Sequence, residues 1–337
     1  MKRNLFFWNV LVGMFALVSV FSACSDDDDD HHSNRPGQEQ GPGAESIAPK
    51  AVQKAFDSQF PDATNVAWRE QVQFGQTYFV ASFDRKQPGR ALDNRSNQAW
   101  FLQDGTLSLS EQELPLGALE QEADYAAILK TWKASVYAEQ GFHISEIEVL
   151  SRQGCKERIV KLEVKKGREE FDLFFTFDGI LVKAVADTDD DNEAADAQPD
   201  NLPCPTEVLK YLEAKYADAV LVDFEQEREA GKWEYEVTVL TKMGQLVVEK
   251  ELVFNDRFEF LYAEIDFDDR VLVGLLQKFL TPEQWDDLVN LTGEKNPMEW
   301  DFDIYENAQG LLTVFVEDCH EKQVELVKDF DPSEWLK

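Results

Sequence analysis

Four cysteines, at positions 24, 155, 204 and 319, carry the side chains best suited to nucleophilic, redox or metal-binding chemistry. Their wide spacing excludes a CxxC metal or redox motif. If a modification near the N-terminus consumes Cys24, three thiols remain, so at most one disulfide can form within a chain. We expect buried, inert thiols, and the sequence leaves open whether two of Cys155, Cys204 and Cys319 are paired.

The common catalytic motifs are absent from the sequence. It contains no HExxH, Walker-type phosphate loop, GxSxG or GxGxxG. Only His143 and His320 lie in the region expected to fold, so a Cys–His dyad has few candidates. The 66 acidic residues will place carboxylates side by side by chance, which gives a glycosidase reading no support. We therefore predict no enzymatic activity, no catalytic residue and no cofactor, and an enzyme using scattered carboxylates remains an alternative.

An acidic stretch in the middle of the chain matches part of the pattern of a calcium-binding loop. Three aspartates at alternate positions mimic the start of a calcium loop: Asp187, Asp189 and Asp191. Asn192 stands where that loop needs glycine, and Gln198 stands where it needs a bidentate glutamate. We predict a solvated acidic linker over 188–201 and no metal-binding residue.

The N-terminal segment has the three parts of a secretory signal. A basic start precedes an apolar run from Leu5 to Phe21, and small residues then precede Cys24. The end of this segment resembles the bacterial lipobox, in which the cysteine is diacylated and becomes the new N-terminus, although Phe21 stands where leucine is usual. We predict a signal peptide over 1–23 and a lipid on Cys24. An uncleaved anchor and an ordinary cleaved signal are the alternatives.

An acidic run follows Cys24 directly. Its members are Ser25, Asp26, Asp27, Asp28, Asp29 and Asp30. Adjacent carboxylates cannot pack in a core, so this run is expected to be solvated and extended. It resembles the export signal of surface lipoproteins of the Bacteroides group, and a plain spacer is the alternative. With the Gly- and Pro-rich residues that follow, we predict a tether over 24–46 that holds the folded part at the outer membrane, on the cell surface.

The net charge restricts the classes of partner. The chain carries a formal charge of -33. Such a surface repels nucleic acid and anionic lipid headgroups, so neither is an expected partner. It suits an exposed soluble body, association with cations, or basic partners.

An internal repeat organises the rest of the chain. Residues 49–71 match residues 205–227 without a gap, at a constant offset of 156 residues (205 minus 49). Phe56 aligns with Leu212, and both stretches have apolar residues at helical spacing followed by a strand pattern.

Two further stretches, after Tyr125 and after Leu272, also predict a helix followed by strands. The predicted fold class is α+β, with four tandem units of one helix on an antiparallel sheet of about four strands. The units form two pairs, over 47–187 and 202–337. Because strand residues alternate between apolar and polar, each sheet should bury one face under its helix and leave the other wet.

Several short motifs resemble those of the PepSY-like family. They are the corner Phe60-Pro61-Asp62-Ala63, the strand Val66-Ala67-Trp68, the pair Tyr78 and Phe83, and the hairpin Asp104-Gly105. That family is also described as resembling β-lactamase inhibitor proteins, and it occurs in lipoproteins of the Bacteroides group. The resemblance is best over 47–114 and fair over 202–262. It implies tandem helix-plus-sheet units and a binding or inhibitory role, and it brings no catalytic or inhibitory residues.

These observations predict a surface-exposed lipoprotein that acts as a non-catalytic binding scaffold, with inhibition of a protein partner as one form of that role. A wet sheet face would recognise an unidentified protein or other macromolecule, and its acidic residues would favour basic partners. Tyr78, Phe174 and Tyr305 are candidates for a contact patch, or for packing against a neighbouring unit. The alternative function is a structural or cation-associating envelope protein without a discrete partner.

Overall fold

The computed structural model describes residues 47–85, 97–155, 157–187, 201–229, 232–267, 269–320 and 322–335. The predicted signal peptide, the lipidated Cys24, the export run Ser25–Asp30 and the tether lie outside the described residues, as does 188–200 of the predicted linker. No helix in the described ranges has the length and apolar character needed to cross a membrane.

The first half of the described chain, residues 47–187, forms one antiparallel sheet in sequence order. Its strands are β1 (Ala63–Gln73), β2 (Gln76–Arg85), β3 (Asn97–Leu102), β4 (Leu107–Glu113), β5 (His143–Arg152), β6 (Ile159–Lys166), β7 (Glu169–Thr176) and β8 (Leu181–Asp187). Its helices are α1 (Lys50–Gln59), α2 (Ala118–Gln121), α3 (Ala126–Lys133) and α4 (Val136–Glu139), with a 3-10 turn at Ala123–Tyr125.

The second half, residues 201–335, forms a second antiparallel sheet, also in sequence order. Its strands are β9 (Val220–Glu229), β10 (Lys232–Met243), β11 (Leu246–Phe254), β12 (Phe260–Asp266), β13 (Phe302–Glu306), β14 (Leu312–Glu317) and β15 (Gln323–Phe330). Its helices are α5 (Thr206–Lys215), α6 (Asp269–Phe279), α7 (Pro282–Thr292) and α8 (Pro332–Trp335), with a 3-10 turn at Pro297–Glu299.

Mixed helix and antiparallel sheet content is confirmed, and the sheets dominate the fold. Two details of the predicted units are wrong. The residues predicted as a fourth unit form three strands and two long helices, α6 and α7, instead of one helix and four strands. The predicted units also share sheets, because β4 pairs with β5 from Leu109 opposite Arg152 to Glu113 opposite Glu148, and β12 pairs with β13.

The helices cover one face of each sheet because strand residues alternate in direction. In α1, Val52 and Phe56 are buried against Phe83 and Phe101 of the first sheet. The rings of Phe56 and Phe83 meet edge to face with centroids 5.0 Å apart. The second sheet has equivalent clusters beneath α5 and α6. The opposite face of each sheet, here called the helix-free face, carries the alternate residues.

Two Asp-Gly turns are held against the helices of the first half. Gly105 has a φ of +90°, and a Cβ there would lie 2.9 Å from the carbonyl oxygen of Ala51 in α1. Gly179 has a φ of +85°, and its Cβ would lie 2.6 Å from the carbonyl carbon of Ala127 in α3. Both positions need glycine for the left-handed backbone and for the close approach of the helix.

The second half covers part of the first sheet's helix-free face. Val222 of β9 is fully buried in one cluster with Leu150, Ile159 and Phe174 of the first sheet. Phe74, in the turn between β1 and β2, meets the rings of three residues of the second half, Phe224, Tyr235 and Phe258. The expectation that this face would be wet is therefore wrong over its apolar part. Apolar side chains on the two halves remove each other from water there.

Candidate functional site

The helix-free face of the second sheet carries a field of carboxylates, here called the acidic face. Its members are Glu225, Glu227, Glu234, Glu236, Glu249, Glu251, Glu264, Asp266 and Asp303. They alternate along β9 to β13 with the buried apolar residues that pack beneath α5 and α6. The pleat of the strands therefore places all of these acids on one side of the sheet.

The strand register sets several of these acids directly opposite one another. Glu227 lies opposite Glu234 and Glu225 lies opposite Glu236 across β9 and β10. The same arrangement recurs between β11 and β12, with the pairs Glu251–Glu264 and Glu249–Asp266. Directly opposed like charges on a sheet destabilise it, because their Cβ atoms are only about 5 Å apart. The folded chain therefore holds mutual repulsion on this face.

Burial and repulsion together raise the pKa values of these carboxyls. Burial, followed by the charges of Glu251 and Glu227, raises the pKa of Glu236 to about 8. Burial and then the charge of Asp266 raise the pKa of Glu249 to about 8. Burial and then the charge of Glu251 raise the pKa of Glu264 to about 7. At neutral pH the face therefore holds protons that an approaching cation would displace.

Cations from the first half neutralise one edge of the acidic face. The Lys183 ammonium of β8 lies 2.8 Å from Glu225 and 3.4 Å from Asp223. Arg152 of β5 donates to the carbonyl oxygen of Val222 at 2.8 Å and to Asp223 at 3.2 Å. Although burial opposes both shifts, these opposite charges raise the pKa of Lys183 and lower that of Asp223. The ion pairs join the two sheets.

Aromatic side chains lie beside the carboxylates on the same face. The rings of Tyr262 and Tyr305 have centroids 5.6 Å apart, and Phe315 follows Tyr305 at 5.8 Å. Tyr262 is 39% exposed. Burial, and then neighbouring carboxylates, raise the pKa values of both tyrosines to about 12, so their hydroxyls stay neutral donors. This aromatic ladder offers flat apolar area with polar ends.

One group on the acidic face could hold a metal ion. The carboxylate oxygens of Glu225, Glu227 and Glu236 lie within 4.8 Å of one another. Oxygen ligands at this spacing suit a hard cation such as Ca²⁺ or Mg²⁺. The absence of metal ligands remains a prediction from the sequence.

The candidate contact residues divide between the two halves. Tyr305 lies on the acidic face, whereas Tyr78 and Phe174 are 1% and 4% exposed and pack inside the molecule.

Among the described cysteines, Cys204 is buried and Cys155 is half-buried, but Cys319 is exposed, contrary to the expectation of buried thiols. The sequence shows glutamates alternating with apolar residues along β10, which indicates an acidic face. It does not show which acids lie opposite one another on neighbouring strands.

No family model matches the sequence, and no curated protein is significantly similar to it. Several solved structures from Bacteroides are similar to part of the chain. A BLIP-like protein from Bacteroides fragilis is 22% identical, with a TM-score of 0.35, and the match covers 48% of this chain and 97% of that one.

Two further solved structures from Bacteroides are similar to part of the chain to about the same degree. A DUF2874 family protein from Bacteroides ovatus is 21% identical over 43% of this chain and 93% of its own, with a TM-score of 0.33. A protein from Bacteroides eggerthii that is named as periplasmic is 20% identical over 42% of this chain and 90% of its own, with a TM-score of 0.32. These similarities are to parts of the fold and assign no function.

Proposed function

We propose that this protein is a non-catalytic binding scaffold whose acidic face binds a basic protein. The observation that carries the proposal is the set of like-charged carboxylates held opposite one another across neighbouring strands. Lysine or arginine side chains placed between them would relieve the repulsion that folding creates, and they would displace protons from carboxyls of raised pKa. The negative field would also steer a positively charged partner towards this side of the molecule.

The extent of the acidic face favours a protein over a single ion. The carboxylates spread over neighbouring strands from β9 to β13, which lie side by side in the sheet. Four inter-strand spacings amount to about 19 Å, several times the diameter of a coordinated cation. Tyr262 and Tyr305 add apolar contact area with hydroxyl ends, and tyrosine is enriched at protein interfaces. An ion would leave these rings unused.

The second candidate function is association with divalent cations, favoured by the grouping of Glu225, Glu227 and Glu236. Calcium or magnesium titrated into the apoprotein would then bind stoichiometrically, and the Glu236→Gln variant would bind more weakly. Weak binding that is unchanged by Glu236→Gln would indicate only screening of a highly charged surface.

We also propose that the chain consists of tandem PepSY-like units anchored as a surface lipoprotein through Cys24. The bounds of α1 and α5 differ by 156 residues at both ends (206 minus 50 and 215 minus 59), as the sequence repeat does. Both helices end on the same bond, from Phe60 N to Phe56 O at 2.8 Å and from Tyr216 N to Leu212 O at 2.7 Å. Metabolic labelling with a palmitate analogue, lost in Cys24→Ser, tests the anchor.

A matched pair of charge variants tests the binding role. A fluorescent lysine-rich peptide that also carries leucines serves as the probe, and its anisotropy reports binding. The face variant replaces Glu236, Glu251 and Glu264 with glutamine. The control variant makes the same number of carboxyl-to-amide substitutions at an exposed site near α2, through Glu120→Gln, Glu122→Gln and Asp124→Asn.

We expect the face variant to lose at least about tenfold in affinity, because it removes three carboxyl groups that would together become ionised against the lysines in a partly buried site. The control should bind nearly as the unmodified chain does. An equal loss in both variants would show that only net charge matters and would contradict the proposal.

A further inference from the structure

Two of the described cysteines come together where the two halves of the chain meet. Cys155 lies in the turn between β5 and β6 of the first sheet, and Cys204 lies directly before α5 of the second half. Cys204 is 6% exposed and belongs to the core cluster beneath α5, and Cys155 packs against that same cluster. The first and second halves therefore each bring one thiol to a shared apolar region.

The backbone around the two thiols supports this placement. A Cβ on Gly154, the neighbour of Cys155, would lie 3.9 Å from the Cδ2 atom of Leu209 in α5. Leu209 donates its N–H to the carbonyl of Pro205 at 3.0 Å, so it sits one helical turn above the residue that follows Cys204. Arg152, the last residue of β5, donates to the carbonyl oxygen of Val222 at 2.8 Å. This bond holds the turn that contains Cys155 against β9. Independent contacts thus fix both chain segments side by side.

Cys319 lies in a different part of the fold. It is exposed, and its N–H donates to the carbonyl of Leu291 at 3.0 Å, beside the end of α7. Its Cβ is 3.5 Å from where a Cβ on Gly293 would stand. Of the three described cysteines, Cys155 and Cys204 are therefore the pair that the fold brings together.

Each thiol is also influenced electrostatically by its surroundings. Burial raises the pKa of Cys204, and the charge of the Cys155 thiolate raises it further, as expected for two thiols close in space. Burial raises the pKa of Cys155 as well. Because the thiolate is the attacking species, both groups react slowly in the closed fold.

We propose that Cys155 and Cys204 form a disulfide that joins the two halves of the protein under oxidising conditions. The oxidant is a disulfide, either a small-molecule one such as oxidised glutathione or that of a thiol oxidoreductase. The half-buried Cys155 thiolate attacks it, forming a mixed disulfide and releasing one reduced thiol. The Cys204 thiolate then attacks the Cys155 sulfur and releases the second thiol. Two protein thiols lose two electrons and two protons, and one oxidant disulfide becomes two thiols.

The bond would link the first sheet to the start of α5 and close the loop that contains the acidic stretch 188–200. Without it, the contact between the halves depends on apolar packing and on the ion pairs of Arg152 and Lys183 with Asp223. With it, loss of those ion pairs at low pH or high salt would no longer let the halves separate. Because the closed fold slows thiolate formation, the disulfide should form faster during refolding than in the folded reduced chain.

Peptide mapping of the full chain tests the proposal. The chain is refolded from its reduced, denatured state in a buffer of oxidised and reduced glutathione, and free thiols are blocked with iodoacetamide. It is then digested without reduction and analysed by mass spectrometry. We expect a linked peptide pair containing Cys155 and Cys204 that disappears on reduction, while Cys319 is alkylated. Complete alkylation of both Cys155 and Cys204, or a linked pair containing Cys319, would overturn the proposal.

Thermal unfolding supplies a second readout. The oxidised chain should melt roughly 5–10 °C above the reduced chain, because the crosslink restricts the unfolded state. This difference should vanish in Cys155→Ser and persist in Cys319→Ser. An undiminished difference in Cys155→Ser would contradict the pairing. The peptide map of the unmutated chain decides the question even if a variant fails to fold.

Discussion

The two helix-free faces of this protein differ in what their strands carry and in what covers them. Leu150, Ile159 and Phe174 form an apolar patch on the first face, and Val222 of the second half covers it. The second face carries carboxylates, and Tyr262 among them is 39% exposed. Alternation determines which residues share a face, but the composition of that face decides whether another part of the chain covers it.

The charges on the two faces are arranged differently as well. The first face also sets acids opposite one another, Glu113 with Glu148 and Glu146 with Glu163. Lysines lie among these acids, with Lys161 3.4 Å from Glu148 and Lys165 2.9 Å from Glu163, so the charges neutralise each other locally. On the acidic face, glutamates such as Glu225 and Glu236 lie opposite one another, with Lys183 at one edge. We propose that the negative field of the second face recognises a cationic partner.

The largest loss of stability is expected from breaking the buried ion pair between Arg152 of the first half and Asp223 of the second half. Arg152→Met removes the guanidinium from the buried Asp223 and leaves it the Lys183 ammonium at 3.4 Å, so it should lower the free energy of unfolding by about 3 kcal/mol. Arg85→Ala, which breaks a pair with Asp62 that is about one third exposed, should cost less than about 1 kcal/mol. Urea unfolding measures both. Similar losses in the two variants would show that the junction is no more buried than the surface.

A smaller loss of stability is expected from shortening a valine at the junction of the two halves, and almost none from shortening a valine on the acidic face. Val222 is fully buried at the junction, and Val222→Ala should cost about 2 kcal/mol through lost burial and a cavity. Val247 on the acidic face is 53% exposed, so Val247→Ala should change the free energy of unfolding by less than about 0.5 kcal/mol. A large loss from Val247→Ala would mean that the acidic face is covered.

The two faces should also differ in how their ionisable groups make stability depend on pH. The raised pKa values of Glu236 and Glu249, both about 8, mean that the folded chain keeps protons that the unfolded chain has released. Stability should therefore fall as the pH rises from about 4.5 to about 8. The lowered pKa of Asp223 acts oppositely, because its contribution is lost as the pH falls below about 4.

Melting temperatures across this range measure the pH effect. The unmodified chain should melt highest between about pH 4 and pH 4.5, because of the two opposing shifts. The double variant Glu236→Gln, Glu249→Gln should lose much of the decline towards pH 8. A decline that is the same in the variant would show that other groups cause it.

The sequence predicted local structure better than it predicted which surfaces are open. Apolar residues at helical spacing predicted α1 and α5, and Asp-Gly predicted the turn at Gly105, because these signals depend on neighbouring residues. The second helix of the last part was missed, although Thr281 and Gln284 form a capping box at the start of α7.

Contacts between distant segments could not be predicted in the same way. Tyr78 and Phe174 were open to two interpretations because alternation does not say what lies over a sheet face. The like-charge pairs on the acidic face depend on strand register, which pairing between neighbouring strands fixes. The proximity of Cys155 and Cys204 depends on how the two halves pack, and the spacing of the cysteines does not encode that packing.

Crosslinking tests the binding role of the acidic face most directly. A carbodiimide joins carboxylates to lysines in direct contact, so the lysine-rich peptide can be coupled to the protein and the sites identified by mass spectrometry. We predict crosslinks concentrated at Glu234, Glu236, Glu251 and Glu264, with few at the exposed Glu120 and Glu122. Crosslinks distributed over exposed carboxylates on all sides, or absent from the acidic face, would contradict the account.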